Sequence, residues 1–131
     1  PGIARLFRAV AHAETVHAHN HLRIVDGTHS TQENLSAAIS GENYEVVSMY
    51  PEFIAGAQAE GEKKAETSFK WAWEVEKIHE ALFKEALATM GGSVGELDIW
   101  VCPVCGFTHI GVPDDRCPVC NTPSDRFEKI A

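Results

Sequence analysis

Two segments of this chain are copies of one another. The stretch from Phe7 to His17 aligns with the stretch from Phe69 to His79 at a constant offset of 62 residues, and Phe, a basic residue, Glu and His coincide. In each copy the Glu and the His stand three residues apart, a spacing that puts both side chains on one face of a helix. The repeat therefore predicts two helices built on one plan, each with a polar pair at the same level.

Start and stop signals divide residues 1–92 into three long helices. They are predicted over Ile3–Val25, from Thr31 to about Glu60, and from about Glu62 to Met90. Ser30 and Glu33 form a capping box before the second helix, and Gly61 ends it. A pair of glycines, Gly91 and Gly92, stops the third helix, so the boundary of this helical domain is predicted between Gly91 and Glu96.

The repeat also predicts a fourth helix. In the second copy, a helix that carries Glu42 and Glu45 precedes the Glu-His helix. Its counterpart in the first copy would lie about 20 residues before Pro1, so four helices are expected and three belong to this chain. We therefore expect residues 1–92 to form the larger part of a four-helix bundle, in a mainly α protein.

Each predicted helix has an apolar stripe that two residues of metal-ligand type interrupt at mid-length. These residues are Glu14 and His17, Glu42 and Glu45, and Glu76 and His79. Burial of six such groups is tolerable only with compensating charge, because unpaired buried ions are costly and facing carboxylates otherwise take up protons. A pair of cations supplies that charge. Oxygen-rich ligation with one imidazole per metal suits iron or manganese rather than a structural zinc.

Other histidines lack this placement. Surface or loop positions are predicted for His12, His19, His29 and His109. His21 shares the ligand face, and we interpret it as a packing or hydrogen-bonding neighbour of the ligands. Tyr50 lies eight residues beyond Glu42, and it is either a hydrogen-bond donor close to the metals or a plain core tyrosine. Pro51, inside the second helix, is expected to kink it or to remove one backbone hydrogen bond.

The four cysteines form two matching Cys-Pro-Val-Cys turns within residues 97–131, at Cys102, Cys105, Cys117 and Cys120. Disulfides are the alternative for an even count, but a disulfide scaffold would spread its cysteines through the fold. Two such turns predict a tetrahedral four-sulfur site for iron or zinc. Gly106 and Asn121 follow the two turns and suit the positive φ required there. Residues 97–131 are therefore predicted to be a compact β/turn metal domain.

Charge and hydropathy exclude two classes of partner. The formal charge of −8 and the pI near 5.3 leave no basic surface for nucleic acid. No run of apolar residues is long enough to span a membrane. Reduced thiolates that bind metal predict a cytoplasmic setting.

These features closely resemble the rubrerythrin family over essentially the whole chain. The resemblance is carried by Ile3-Ala4-Arg5-Leu6-Phe7-Arg8-Ala9, Glu14-x-x-His17, Gly41-Glu42-x-x-Glu45, Met49-Tyr50-Pro51-Glu52-Phe53, Glu76-x-x-His79 and Cys102-Pro103-Val104-Cys105-Gly106. It implies a ferritin-like bundle that binds two iron ions, followed by a rubredoxin-like domain with one iron in the four-cysteine site. Zinc is the alternative metal there. It also implies a peroxidase that reduces hydrogen peroxide to water, with an electron-donor protein or reductase as partner.

The resemblance also assigns roles to residues. It implies that Glu14, Glu45 and Glu76 are carboxylate ligands or bridges, and that Glu42 and His79 serve the second iron. His17 is the histidine that exchanges with a glutamate when the redox state changes. The glutamate expected from the absent first helix is a departure from the family pattern, and Asn121 in place of a glycine is a minor one.

Two other functions stay open. The same di-metal site could support iron oxidation or oxygen reduction, which a comparison of turnover with peroxide and with dioxygen would separate. A protein of another class, a non-catalytic helical protein with a zinc-ribbon module, would hold zinc alone and be colourless.

The first two helices are joined by a short linker. About six residues reach at most ~20 Å, whereas the first helix is about 35 Å long. If the topology is ferritin-like, the linker cannot complete the crossover within one chain. We therefore predict a homodimer with exchanged helix pairs, whose metal sites take Glu14 and His17 from one protomer and the other four ligands from its partner.

Overall fold

The computed structural model describes residues 1–89 and 97–130. Its helical elements are α1 (Gly2–Ile24), α2 (Thr31–Tyr44), a π segment (Glu45–Met49), α3 (Tyr50–Glu60) and α4 (Lys63–Thr89). Because α2, the π segment and α3 are contiguous, they form one long helix, and the three predicted helices are confirmed. The predicted stop of the third helix at residues 90–92 lies outside the described residues, as does the whole predicted domain boundary at residues 91–96, which stays a prediction.

The predicted capping signals determine the ends of the second long helix. The Ser30 N–H donates to Glu33 Oε2 at 3.1 Å, and the Glu33 N–H donates to Ser30 Oγ at 3.3 Å. This reciprocal pair is the predicted capping box, and it satisfies backbone donors that the first turn leaves open. At the other end Gly61 adopts φ 73°, a left-handed conformation that glycine reaches without strain.

The π segment is the structural response to Pro51. The Tyr50 N–H donates to the Glu45 carbonyl, five residues back, and Pro51 has no N–H to donate. The Val46 carbonyl therefore receives neither an α-type bond from residue 50 nor a π-type bond from residue 51. The indole N–H of Trp73 donates to it instead, at 2.8 Å. The predicted loss of a backbone bond is confirmed, and a side chain from α4 replaces it.

The chain divides into two compact units, residues 1–34 and 35–131. In the first unit every residue of α1 is exposed, including the apolar side chains of Ile3, Phe7 and Val10. An amphipathic helix of this kind normally covers its apolar stripe with a neighbour.

In the second unit α3 packs against α4. The rings of Phe53 and Phe69 lie 5.5 Å apart between centroids, and Ala57 is buried. Near the start of α4 the almost buried carboxylate of Glu66 accepts hydrogen bonds at 2.8–3.0 Å from three side chains, those of Gln58, Lys63 and Lys70. These bonds, with Lys70 first, lower the pKa of Glu66 to about 2.

Residues 97–130 form a small β domain. Its antiparallel sheet has the order β2-β1-β3, with β1 at Ile99–Val101, β2 at Thr108–Ile110 and β3 at Glu128–Ile130. Trp100 pairs with His109 in one ladder and with Lys129 in the other. His109, predicted on the surface or in a loop, thus lies on a strand. The expected class, a mainly helical protein with a small β/turn metal domain, is confirmed.

The helix α4 has a second buried face that the apolar stripe did not predict. Val75 is only 2% exposed, because it packs in one cluster with the buried Phe107, Phe127 and cysteine side chains of the β domain. The predicted stripe instead contains Glu76, one residue further on. Sequence periodicity predicted one buried face of α4. Burial of the other face depends on contact with the β domain, which follows α4 in the chain.

None of the helices in the described part is long and apolar enough to cross a membrane.

Candidate di-metal and four-cysteine sites

Both copies of the Glu-x-x-His repeat have the same local geometry. On α4, His79 Nδ1 lies 2.7 Å from Glu76 Oε2, and on α1, His17 Nδ1 lies 3.1 Å from Glu14 Oε2. The i, i+3 spacing produces this contact on any helix, since the two side chains share a face. In each pair the Nδ1 atom of the histidine therefore lies next to a carboxylate oxygen of the glutamate, on the same face of the helix.

Three of the six predicted ligands meet in the second unit. Glu42, Glu76 and His79 each offer a ligand atom, and these atoms lie within 4.8 Å of one another. His79 Nδ1 is 3.8 Å from Glu42 Oε1, and the side chains of Glu42 and Glu76 are 18% and 15% exposed. Two carboxylates and one imidazole thus share a mostly buried space between α2 and α4.

The electrostatics of this cluster are unfavourable without a cation. Burial, and then the charge of Glu76, raise the pKa of Glu42 to about 7. Glu42 Oε2 is buried and has no hydrogen-bond partner among the described residues. Since buried polar atoms are almost always satisfied, an orphaned oxygen on a carboxylate whose other oxygen lies 3.8 Å from His79 Nδ1 fits a metal ligand. Oxygen-rich donors with imidazole fit iron or manganese.

Tyr50 lies beside the same carboxylates. Burial, followed by the charges of Glu76, Glu45 and Glu42 and a hydrogen bond to Glu76, raises the pKa of Tyr50. Of the two interpretations of Tyr50, the hydrogen-bond donor is the one that its surroundings favour. Glu45 contributes charge to Tyr50 and Glu42 but is not in the group of three.

The other two predicted ligands lie in the first unit. Glu14 and His17 are on α1, with side chains 67% and 60% exposed. They contact each other as described, and their role as ligands stays a prediction.

The four cysteines are arranged for one tetrahedral ion. All four Sγ atoms lie within 4.8 Å of one another, with Cys102–Cys120 at 3.6 Å and Cys105–Cys117 at 3.5 Å. A tetrahedral site with metal–sulfur bonds of about 2.3 Å has edges of about 3.8 Å, close to these separations. The disulfide alternative is not supported, because all four cysteines are free.

The two turns that hold the sulfurs have the same backbone pattern. Gly106 and Asn121 have φ 84° and 64°, as predicted, and their N–H groups donate to the carbonyls of Cys102 and Cys117 at 3.0 Å. Each first cysteine then donates its own N–H to the carbonyl of residue 107 or 122. These backbone hydrogen bonds give the two cysteines of each pair the same local arrangement.

Thiol ionisation differs around the site. Burial raises the pKa of Cys105 and of Cys117. At Cys120 burial is outweighed by hydrogen bonds, chiefly from the Thr122 hydroxyl at 3.0 Å, and the pKa falls to about 7. A cluster of four thiols, of which one ionises near neutral pH, is suited to bind a cation. The charge of the cation would stabilise the other cysteines as thiolates.

One site residue has no signal in the sequence. His79 Nε2 lies 3.0 Å from the hydroxyl of Thr108, on β2, so the helical cluster and the cysteine domain are hydrogen-bonded to each other. Thr108 belongs to no ligand motif, and only the packing of α4 on the β domain brings it to His79.

Comparison with known proteins agrees with both parts of the fold. The rubrerythrin family model matches residues 1–87, and the model of the rubrerythrin rubredoxin-like domain matches residues 100–128. Rubrerythrin-2 of Clostridium acetobutylicum is 36% identical over 98% of this chain and 78% of its own length. Nigerythrin of Nitratidesulfovibrio vulgaris is 33% identical over 95% of this chain and 68% of its own.

A solved structure, the fully reduced, all-ferrous state of nigerythrin, matches with a TM-score of 0.73 and 34% identity. The match covers 79% of this chain and 50% of that one, so the chain spans about half the length of the solved protein. The chain belongs to the rubrerythrin family, whose members bind a di-iron site in a helical bundle and one iron in a rubredoxin-like four-cysteine domain.

Proposed function

We propose that this chain is a non-haem di-iron peroxidase that reduces hydrogen peroxide to water, with electrons relayed through the four-cysteine iron. The observation that carries the proposal is the cluster of Glu42, Glu76 and His79, joined by a hydrogen bond to the cysteine domain. Hydrogen peroxide takes up two electrons and two protons, its O–O bond breaks, and two water molecules are formed.

Six side chains are proposed to hold the iron pair: Glu14, His17, Glu42, Glu45, Glu76 and His79. When bound, a ferrous pair supplies two electrons together, so that the O–O bond breaks without release of a radical. The residues of this chain contribute to the enclosure, because Glu42 and His79 line a cavity of about 550 Å³ whose other lining side chains are mostly apolar. Such walls exclude bulk water and strengthen electrostatic interactions inside the site.

Tyr50 is proposed to orient the reacting oxygen. Its pKa is raised by burial and then by the charges of Glu76, Glu45 and Glu42, which keeps the hydroxyl proton in place at neutral pH beside these carboxylates. A neutral hydroxyl at this position donates a hydrogen bond to an oxygen atom that develops negative charge.

The hydrogen bond between the two sites supports the relay. His79 is bonded to Thr108, which in turn donates to the Gly106 carbonyl at 3.2 Å, and Gly106 directly follows Cys105. Cys105 and His79 are therefore linked through the backbone from Cys105 to Gly106 and two hydrogen bonds. Iron rather than zinc is proposed in the cysteine site, because zinc cannot carry electrons.

Turnover with two oxidants tests the reaction. Iron-loaded, fully reduced protein is mixed with hydrogen peroxide or with dioxygen, and the absorption of the oxidised iron–thiolate centre is followed. Faster oxidation by peroxide, with water as the product, supports the peroxidase. Faster oxidation by dioxygen would favour the oxygen reductase or iron oxidase, and a colourless protein that holds only zinc would favour the non-catalytic alternative.

A matched pair of variants tests the ligands. Glu76→Ala should lose the bundle iron, so that iron content falls toward that of the cysteine site alone, with loss of peroxide turnover. Glu74→Ala is the control, because Glu74 lies two residues away on α4 and forms an exposed ion pair with Lys77. Equal iron content in the two variants would contradict the assignment.

We also propose a homodimer in which α1 of one copy completes the site of the other. The apolar stripe of α1 is exposed and is interrupted by Glu14 and His17. The cavity beside Glu42 and His79 is similarly apolar around two ligand-type residues. Burial of the stripe in the second copy would remove an apolar surface that is otherwise in water.

Subunit complementation tests this dimer. A Glu14→Ala chain and a Glu76→Ala chain, each inactive alone, are mixed under conditions that exchange subunits. With exchanged helices, half of the dimers are mixed and each mixed dimer has one intact site, so about a quarter of the wild-type activity should return. Sites formed within single chains would recover none.

The proposed electron donor is a reductase or an electron-transfer protein that approaches the cysteine domain. A cytoplasmic setting is proposed for this reaction, because thiolates that bind metal have to stay reduced.

A further inference from the structure

Both ring nitrogens of His79 are engaged. Nδ1 faces the carboxylates, at 2.7 Å from Glu76 and 3.8 Å from Glu42, and Nε2 faces the Thr108 hydroxyl at 3.0 Å. Because a neutral imidazole carries one proton, only one of its two nitrogens can donate while the other accepts or binds a cation. The partner of Nε2 therefore decides what Nδ1 can do.

The direction of the bond follows from the second contact of Thr108. A threonine hydroxyl has one hydrogen, and the geometry directs it to the Gly106 carbonyl, which lies 3.2 Å away and can only accept. The oxygen of Thr108 is then an acceptor toward His79. Nε2 of His79 consequently carries a proton, and Nδ1, which faces Glu42 and Glu76, either shares a proton with Glu76 or binds a cation through its lone pair.

We propose that Thr108 is a positioning residue that holds His79 in the Nε2–H tautomer, so that Nδ1 is available to a cation in the carboxylate cluster. The inference rests on the proposed function, in which this cluster holds metal. Ligating histidines generally donate their second N–H to a partner that fixes the tautomer and orients the ring. Here a cysteine-domain side chain supplies that partner to a helical-domain ligand.

The hydroxyl is held in place by the packing of the cysteine domain on α4. Thr108 begins β2, where it pairs with Val101, and it follows the buried Phe107. Phe107 packs in one cluster with Val75, and Ile78, the neighbour of His79, packs against that cluster. The distance from Thr108 to His79 is therefore fixed by a core rather than by a mobile loop.

The variants separate the hydroxyl from the shape of the side chain. Thr108→Val keeps the branched shape and removes the acceptor, and loss of such a partner lowers metal affinity by about 10–100-fold. Thr108→Ser restores the hydroxyl and should bind nearly as tightly as the wild type. Thr67→Val is the matched control, because within the described part of the chain the Thr67 hydroxyl on α4 bonds only the local Lys63 carbonyl.

Two measurements decide the proposal. With zinc in the cysteine site, manganese(II) is titrated into the full chain and free Mn²⁺ is followed by electron paramagnetic resonance, since manganese prefers oxygen and imidazole to thiolate. In the same protein without manganese, ¹⁵N chemical shifts of the His79 ring report which nitrogen carries the proton. We expect a protonated Nε2 in the wild type and the serine variant, whether or not Nδ1 also shares a proton with Glu76, and a partly deprotonated Nε2 with weakened Mn²⁺ binding in the valine variant.

The outcomes also separate this inference from the proposed function. A wild type that shows Nε2–H but binds no Mn²⁺ would refute the metal cluster and leave the role of Thr108 in fixing the tautomer. Tight Mn²⁺ binding by the valine variant, or an Nδ1–H tautomer in the wild type, would overturn the role of Thr108 alone. The ring measurement on the wild type tests that role even if the valine variant does not fold.

Discussion

Replacement of Trp73 by phenylalanine isolates one hydrogen bond, the bond that supports the π segment. Phenylalanine keeps an aromatic ring at this position on α4 but has no indole N–H. The Val46 carbonyl has no backbone donor, because the Tyr50 N–H bonds the Glu45 carbonyl and Pro51 has no N–H. Without the indole N–H it would therefore have no partner. The change therefore measures the cost of an unsatisfied carbonyl inside a helix.

The expected loss of unfolding free energy is about 1–2 kcal/mol. An unsatisfied buried acceptor costs about 1–3 kcal/mol, and the lower half applies because Val46 and Trp73 are only half-buried. The Lys77 ammonium lies 3.3 Å from the centroid of the Trp73 ring, and an exposed pair of this kind contributes about 0.5–1 kcal/mol, which phenylalanine keeps in part. The total is a large fraction of the stability of a small protein.

Urea unfolding followed by far-ultraviolet circular dichroism is the assay, because fluorescence would change with the tryptophan itself. Both metal sites are loaded identically in every variant. Trp71→Phe is the control: Trp71 lies two residues away on α4, is also half-buried, and its indole makes no hydrogen bond within residues 1–89 and 97–130. Trp71→Phe therefore makes the same reduction in ring size as Trp73→Phe but removes no hydrogen bond.

Trp73→Phe should be less stable than Trp71→Phe by about 1 kcal/mol or more, with faster amide exchange confined to residues near the π segment. Equal losses in the two variants, to within a few tenths of a kcal/mol, would show that the indole bond does not stabilise the segment.

Three further predictions concern charge and capping. The raised pKa of Glu42 means that its contribution to the stability of the metal-free protein is most favourable below the ordinary value of 4.5 and is lost as pH rises through about 7. Glu42→Gln should remove this loss when urea midpoints at acidic and mildly alkaline pH are compared. The lowered pKa of Glu66 has the opposite effect on stability. The stability that its ionised carboxylate contributes is present above pH 4.5 and is lost as pH falls toward about 2, so Glu66→Gln should not show this loss when unfolding is followed by acid titration. Ser30→Ala should cost about 1 kcal/mol in urea unfolding by removal of the capping box, whereas Ser40→Ala, at an exposed position within α2, should be neutral or slightly stabilising.

Much of the helical domain could be predicted because its signals are local. The capping box at Ser30 and the glycine at position 61 fix helix ends within a few residues, so their effect does not depend on the rest of the fold. The Glu-x-x-His pairs were also accessible, since a three-residue spacing on a helix determines a shared face.

The features that were missed depend on residues far apart in the sequence. Val75 is buried only because the cysteine domain packs on α4, and Thr108 reaches His79 for the same reason. Pro51 indicated a disturbed helix, but the form of the disturbance depends on Trp73, which lies 27 residues beyond Val46. Periodicity and motifs report what a segment prefers, and they contain no information about which side chain a distant segment will bring to it.

The π segment also resets the angular register of its helix. Successive residues of an α-helix are about 100° apart, so Tyr50, eight residues after Glu42, would point about 80° away from it in an uninterrupted helix. The widened turn accommodates about one residue more, which rotates everything beyond Met49 back by about 100° and leaves the two side chains about 20° apart. The insertion, as much as the tyrosine itself, thus places a phenol beside Glu42 and Glu76. Deletion of one residue there would give a regular helix with the tyrosine about seven positions after Glu42, again about 20° from it, so the π segment is what lets the helix hold an extra residue without turning the phenol away.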